Sequence, residues 1–201
     1  MRIALNLAAS AALLMLAGQS ATADPCREAF MKVKTDSKPK GPTRSRSVSL
    51  TNGKNPSTSM HLSNGAGDWM THPTAPSVGP WSLEVGKVLY VSSDQGKTWT
   101  KARDMNDPGH DPEVVRKEVA DAAAAATNLI CGTDEMDGLR HETFEADIVY
   151  PKMNMTTREK LWLHPDTRRV VKSHMVMRMS GIEVETTQFT EYLPELTLPK
   201  P

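Results

Sequence analysis

Residues 111–132 read DPEVVRKEVADAAAAATNLICG, and their pattern decides the fold class. Asp111 can cap a helix, Pro112 and Glu113 suit its first turn, and Gly132 suits its end. Val115, Val119, Ala122, Ala126, Leu129 and Ile130 recur at steps of three and four, the spacing of one helix face. The alanine run from Ala122 to Ala126 combines high helix propensity with little bulk, so this helix is expected to lie very close to a sheet.

On both sides of this stretch the signals are those of strands. From Thr43 to about Lys101, short alternating segments are separated by turns at Asn52-Gly53, Asn64-Gly65 and Ala66-Gly67. Ser45–Leu50 alternates weakly, and Ser57–Leu62 reads as a strand. His72–Pro80 holds three prolines and reads as a loop. Trp81–Ser92 carries Leu83, Val85, Leu89 and Val91 at odd positions. After Gly138, strands are expected through Phe144–Tyr150 and Lys160–His164. A hairpin turn at Pro165-Asp166-Thr167 then leads to Arg169–Met179, and Ser180-Gly181 to a last strand, Ile182–Tyr192. Asp24-Pro25 opens a short helix with Cys26, Phe30 and Val33 on one face. The order is short helix, strands, long helix, strands. It predicts an α+β fold, an antiparallel sheet with helices packed on one face.

The chain has 201 residues, and residues 1–23 read as a secretory signal peptide. Arg2 precedes the apolar run Leu5–Ala17, and Ala21-Thr22-Ala23 supplies small residues at the cleavage site. The leader gives way to a short helix and basic linker over 24–42 and then to one domain over 43–201. Of 24 basic and 24 acidic residues, only Arg2 leaves with the leader, so net charge provides no drive toward nucleic acid. Lys32, Lys34, Lys38, Lys40, Arg44 and Arg46 face only Asp36, which reads as a solvated basic segment. The two cysteines, Cys26 and Cys131, both lie beyond the leader and are expected to pair in an oxidising compartment. That bond would tie the short helix to the end of the long one.

The stretch SSDQGKTW at 92–99 resembles the Asp box of sialidase propellers. A propeller needs four or more blades, which a chain with one such box and a central Ala-rich helix does not offer. The motif is a hairpin device: Asp94 bonds the turn backbone, Gly96 takes positive φ and Trp99 packs back over the strand. It is expected to join Lys87–Ser92 to Thr98–Ala102.

No metalloprotease, redox dithiol, hydrolase-elbow or phosphate-loop motif is present. Asp134, Glu135 and Asp137 read as a polar loop, and His110 as part of a helix-capping segment. The informative excess is methionine. Met153 and Met155 share one face of a strand, as do Met175, Met177 and Met179. Three uses fit them: ordinary core, the soft wall of a cavity for an apolar ligand, or thioether ligands for Cu(I) from Met175 and Met177 beside His174. Trp81, Trp99 and Trp162 are candidate walls or lids for such a cavity.

The segment KLWLHPDTRRVVKSHM, 160–175, and the closing TTQFTEY, 186–192, resemble the periplasmic lipoprotein carriers LolA and LolB and the LppX-type lipid-binding lipoproteins. The resemblance implies a curved antiparallel half-barrel closed by helices around a hydrophobic cavity. It also implies a non-enzymatic periplasmic carrier without cofactor. The partners would be a lipid, acyl chain or similar amphiphile and an envelope membrane protein. A Cu(I)-binding protein and an envelope regulatory module are the alternatives.

Overall fold

Eleven strands form one sheet in which every neighbouring pair is antiparallel. The computed structural model describes residues 24–36, 41–106 and 112–201. The leader, Lys38, Lys40, His110 and Asp111 therefore lie outside the described residues. In chain order the elements are α1 (Pro25–Thr35), β1 (Thr43–Thr51), β2 (Lys54–Ser63), β3 (Trp69–Ala75), β4 (Trp81–Val85), β5 (Val88–Ser92) and β6 (Thr100–Asp104). Then come α2 (Pro112–Ala124), β7 (Thr127–Met136), β8 (Leu139–Tyr150), a single 3-10 turn (Pro151–Met153), β9 (Met155–Leu163), β10 (Val170–Met179) and β11 (Ile182–Tyr192). Spatially the strands run β6-β5-β4-β3-β2-β1-β11-β10-β9-β8-β7. The first and last strands of the two halves, β1 and β11, meet in the middle. The sheet is curved and does not close, so this is the α+β half-barrel expected from the sequence.

Both helices pack on one face, called here the inner face. Phe30 of α1, Ala122 and Ala123 of α2, and Ala126 just after it bury against Phe144, Ala146, Ile148, Leu161 and Leu163. The phenyl rings of Phe30 and Phe144 lie 6.3 Å apart, centre to centre. The small alanines let the α2 backbone approach β8, as their lack of bulk predicted.

The long helix ends earlier than its apolar spacing predicts. It stops at Ala124, and Thr127–Met136 runs as edge strand β7 paired with β8. Asn128 takes a left-handed φ of 50° and donates to Asp147 Oδ2 at 2.6 Å. Leu129 reaches the core from the strand, while Ile130 is exposed. Eight paired positions in the ladder with β8 outweigh the two further helical turns that periodicity offered. Asp134 and Glu135 consequently belong to a strand, not to a loop.

Two other boundaries moved. His72–Ala75 extends β3, and Pro73 is tolerated because β4 pairs only with Trp69–Thr71. Trp81–Ser92 is a hairpin broken at Gly86-Lys87, both with positive φ. The odd-numbered apolar residues therefore split. Leu83 lies opposite Tyr90, and Leu89 opposite Glu84, on the other face.

The Asp box performs the role expected of it. Ser92 Oγ donates to Asp94 Oδ1 at 2.7 Å and accepts from the Gly96 N–H at 2.8 Å. Asp94 accepts from the backbone and hydroxyl of Thr98 at 2.9 and 2.6 Å. Gly96, at φ 83°, lies between Trp81 and Trp99, and a Cβ there would meet the Trp81 ring at 3.0 Å.

Candidate functional site

The site is a cavity of about 810 Å³ between α1 and the inner face. Its position follows from how α1 is held. Asp24 caps the helix by accepting the Cys26 N–H at 3.0 Å. Cys26 is disulfide-bonded to Cys131, with Cα atoms 5.8 Å apart. The partner lies on β7, opposite Phe144, so the bond ties α1 to the sheet edge rather than to the end of α2. Arg27 donates to the carbonyls of Ala124 and Ala126, both at 3.0 Å, serving two acceptors that the end of α2 leaves open. Further along, Lys34 pairs with Glu159 at 2.6 Å.

Helix, sheet and turn contribute different chemistry to the cavity. Ala29 and Val33 of α1, with Leu161, Leu163 and Val170, form an apolar wall. Thr43, Ser45, His61, Ser63, Ser173, Gln188 and Thr190 form a floor of hydroxyl, amide and imidazole groups. Lys32, Asp36, Arg168 and Arg169 stand with Tyr192 among the remaining lining groups. Arg168 pairs with Glu142, and the Arg169 guanidinium sits 4.5 Å from the centre of the Tyr192 ring. Burial lowers the pKa of His61, whose Nδ1 lies 2.7 Å from Thr71 Oγ1.

The sequence missed this floor. Residues directly opposite each other in an antiparallel pair share a face. Leu161, in the core, is opposite Ser173. Ser173 is opposite Gln188, Gln188 opposite Ser47, and Ser47 opposite Ser59. The next row holds Thr190, Ser45, His61 and Thr71. The available signal was hydroxyls at every second position, Ser45, Ser47 and Ser49, then Ser57 and Ser59.

None of the expected site residues lines the cavity itself. Four of the methionines nevertheless extend its face. Met175 is opposite Glu159, which lines the cavity; Met177 is opposite Val184, and Met179 is opposite both Met155 and Ile182. Met155, Met175, Met177 and Met179 thus form, with Val184 and Ile182, a partly exposed apolar strip running from the cavity edge. Met153 does not share the strand face of Met155 as expected: it ends the 3-10 turn, exposed, and left-handed Asn154 separates it from β9.

The tryptophans are elsewhere. Trp162 is on the outer face, nearly buried, with its Nε1 donating to Asp134 at 3.0 Å and Lys160 and Lys172 lying over its ring. Trp81 stacks on His72, also on the outer face, at 4.2 Å between ring centres. Trp99 packs in the Asp-box loop. They are neither walls nor lids of this cavity. The Cu(I) set does not converge either. Strand alternation puts His174 on the outer face, hydrogen-bonded to Thr187, with Met175 and Met177 on the inner one.

The basic N-terminal segment divides in the same way. Lys32 and Lys34 project from α1 to the cavity, whereas Arg44 and Arg46 lie on the outer face of β1, Arg44 bound to Glu191 and Arg46 over Phe189. Lys172 also lies over Phe189. These residues are organised by helix and sheet rather than forming one solvated run.

No family model matches the sequence. No curated protein matches it. Solved structures do. LprF from Mycobacterium bovis is 16% identical, with 88% of this chain and 96% of that one covered at a TM-score of 0.52. The chain shares the fold of LprF. A DUF1329 family protein from Desulfovibrio piger is 14% identical over 87% of this chain and 95% of its own, at a TM-score of 0.37. The LolA superfamily protein NE2245 from Nitrosomonas europaea is 11% identical over 87% and 93%, at 0.36. Scores of this size add nothing to the fold assignment.

Proposed function

We propose that this chain is a non-enzymatic periplasmic binding protein or carrier for a lipid, an acyl chain or a similar amphiphile. The observation that carries the reading is the cavity of about 810 Å³ beneath α1, whose inner face runs on into the methionine strip. Its volume falls in the range of small-molecule sites, roughly 300–1,000 Å³. One wall is apolar, and the strip offers flexible thioether side chains that adapt to variable chains. Each methylene moved from water onto such a surface contributes about 0.8 kcal/mol. The leader-like N-terminus and the Cys26–Cys131 bond support an oxidising envelope compartment. An envelope membrane protein is the natural donor or acceptor of such a cargo.

Native mass spectrometry of the protein recovered from the periplasm, followed by organic extraction, tests the proposal. The expected result is a bound mass that extracts as an acylated species. A ligand-free mass, together with no uptake of added amphiphile, overturns it.

A further inference from the structure

Resting on the amphiphile reading, we infer that the methionine strip is an oxidation site: a peroxide converts its thioethers to sulfoxides, and the oxidised strip no longer holds an acyl tail. The step is a two-electron oxygen transfer. A sulfur lone pair attacks one peroxide oxygen, the O–O bond breaks and a sulfur–oxygen bond forms. The thioether is oxidised to a sulfoxide, and hydrogen peroxide is reduced to water.

The chain's two cysteines are already joined as a disulfide, so no thiol competes for the oxidant. Among the described residues, the exposed methionines are Met153 and Met179, at 48% and 39%. Both stand at the end of the strip far from the cavity. Met179 lies opposite Met155, and Met177 and Met175 follow at every second position toward the cavity edge. The core beneath the helices holds no methionine among the described residues. Oxidation of the strip therefore alters a surface and leaves the packing of the fold alone.

The product has the opposite chemistry to the one an acyl tail needs. A thioether is a weak acceptor that packs as an apolar group, whereas a sulfoxide is polar. The inner face offers hydroxyl donors to the new oxygens, since Thr157 stands opposite Met177 and Thr186 opposite Met175. A tail laid over sulfoxides would take them out of water without replacing their hydrogen bonds, which is unfavourable.

The test treats the protein recovered from the periplasm, cleared of ligand and with its disulfide intact, with hydrogen peroxide. Peptide mass spectrometry then locates the sulfoxides. Met153 and Met179 should oxidise first, Met155, Met175 and Met177 next, and buried Met70 last. Calorimetric titration with dodecyl maltoside, below micelle formation, should show binding about tenfold weaker after oxidation, the equivalent of losing contact with about two methylenes. The denaturation midpoint should not move. Met155→Leu with Met179→Leu should remove most of the difference between treated and untreated protein. Met60→Leu, opposite Arg46 on the outer face, should leave that difference whole.

Unchanged affinity once the strip is oxidised would overturn the inference and leave the amphiphile reading standing. So would a loss of affinity accompanied by a lower midpoint, which would assign the effect to damage of the fold. No binding by the untreated protein would overturn both.

Discussion

Gly96 and Asp94 show how much a single residue decides in this fold. Gly96 combines φ 83° with the Trp81 ring at 3.0 Å from any Cβ. Gly96→Ala should therefore cost about 1–2 kcal/mol from backbone strain alone, before the ring is displaced. A denaturant midpoint measurement checks it, and an unchanged midpoint would refute the packing described. Hydrogen bonds from Ser92, then from the Thr98 hydroxyl and backbone, hold the Asp94 carboxyl well below its ordinary 3.8. The sign follows from linkage: the unfolded chain takes up a proton first as pH falls. The contribution to the hairpin is complete above the ordinary carboxylate range. It declines between 3.8 and the lowered folded value, and is absent below that value. An NMR titration should find Asp94 still ionised where exposed carboxylates are half protonated. At this scale the sequence was legible, because the Asp box closes its hydrogen bonds within eight consecutive residues.

At the scale of elements, the two helices differ in what fastens them. α1 is bound to β7 by a disulfide spanning 105 residues of sequence. The chain-entropy model gives such a bond up to about 4–5 kcal/mol. Cys26→Ser with Cys131→Ser should lower the denaturation midpoint and weaken ligand uptake, since α1 forms one wall of the cavity. Equal stability and uptake in the oxidised protein and the double variant would show that α1 needs no such bond.

α2 depends instead on small side chains. Ala123 is fully buried, while Val115 is 46% exposed. Ala123→Leu should destabilise by about 1–3 kcal/mol through overpacking, whereas Val115→Ala should stay within about 0.5 kcal/mol. Calorimetric melting of the two variants separates them. The start of α2 and its buried alanines were legible in the sequence. Its end was not, because an apolar residue at Leu129 satisfies helix and strand patterns alike until the pairing with β8 is known.

At the scale of the whole molecule, the two faces of the sheet do different work. The outer face carries a cross-strand row in which Arg46, Phe189, Lys172 and Trp162 alternate cation and ring. The inner face carries the core, the hydroxyl floor and the methionine strip. Met177→Ser should lower amphiphile uptake several-fold without changing the fold, because its side chain is only partly buried beside Val184. Unchanged uptake would remove the strip from the site. A ligand bound only by the folded protein should also raise stability, by about 2.7 kcal/mol at a free concentration of one hundred times Kd. Melting before and after organic extraction and reloading measures that rise.

The sequence by itself determined what depends on neighbours along the chain. The Asn52-Gly53 and Ser180-Gly181 turns, the Asp-box hairpin, the last two strands and the antiparallel α+β order all rest on local geometry and period. The cysteine pair was legible from its number and compartment. Only the tertiary structure decided which side of the sheet is inside. Alternation tells that Met175 and Met177 share a face and that His174 does not, but the inner face is defined by where α1 and α2 come to rest. That placement puts Trp162 outside and the serines of β1 and β2 inside. It results from long-range contacts, Phe30 on Phe144 and Cys26 on Cys131, between residues more than one hundred positions apart.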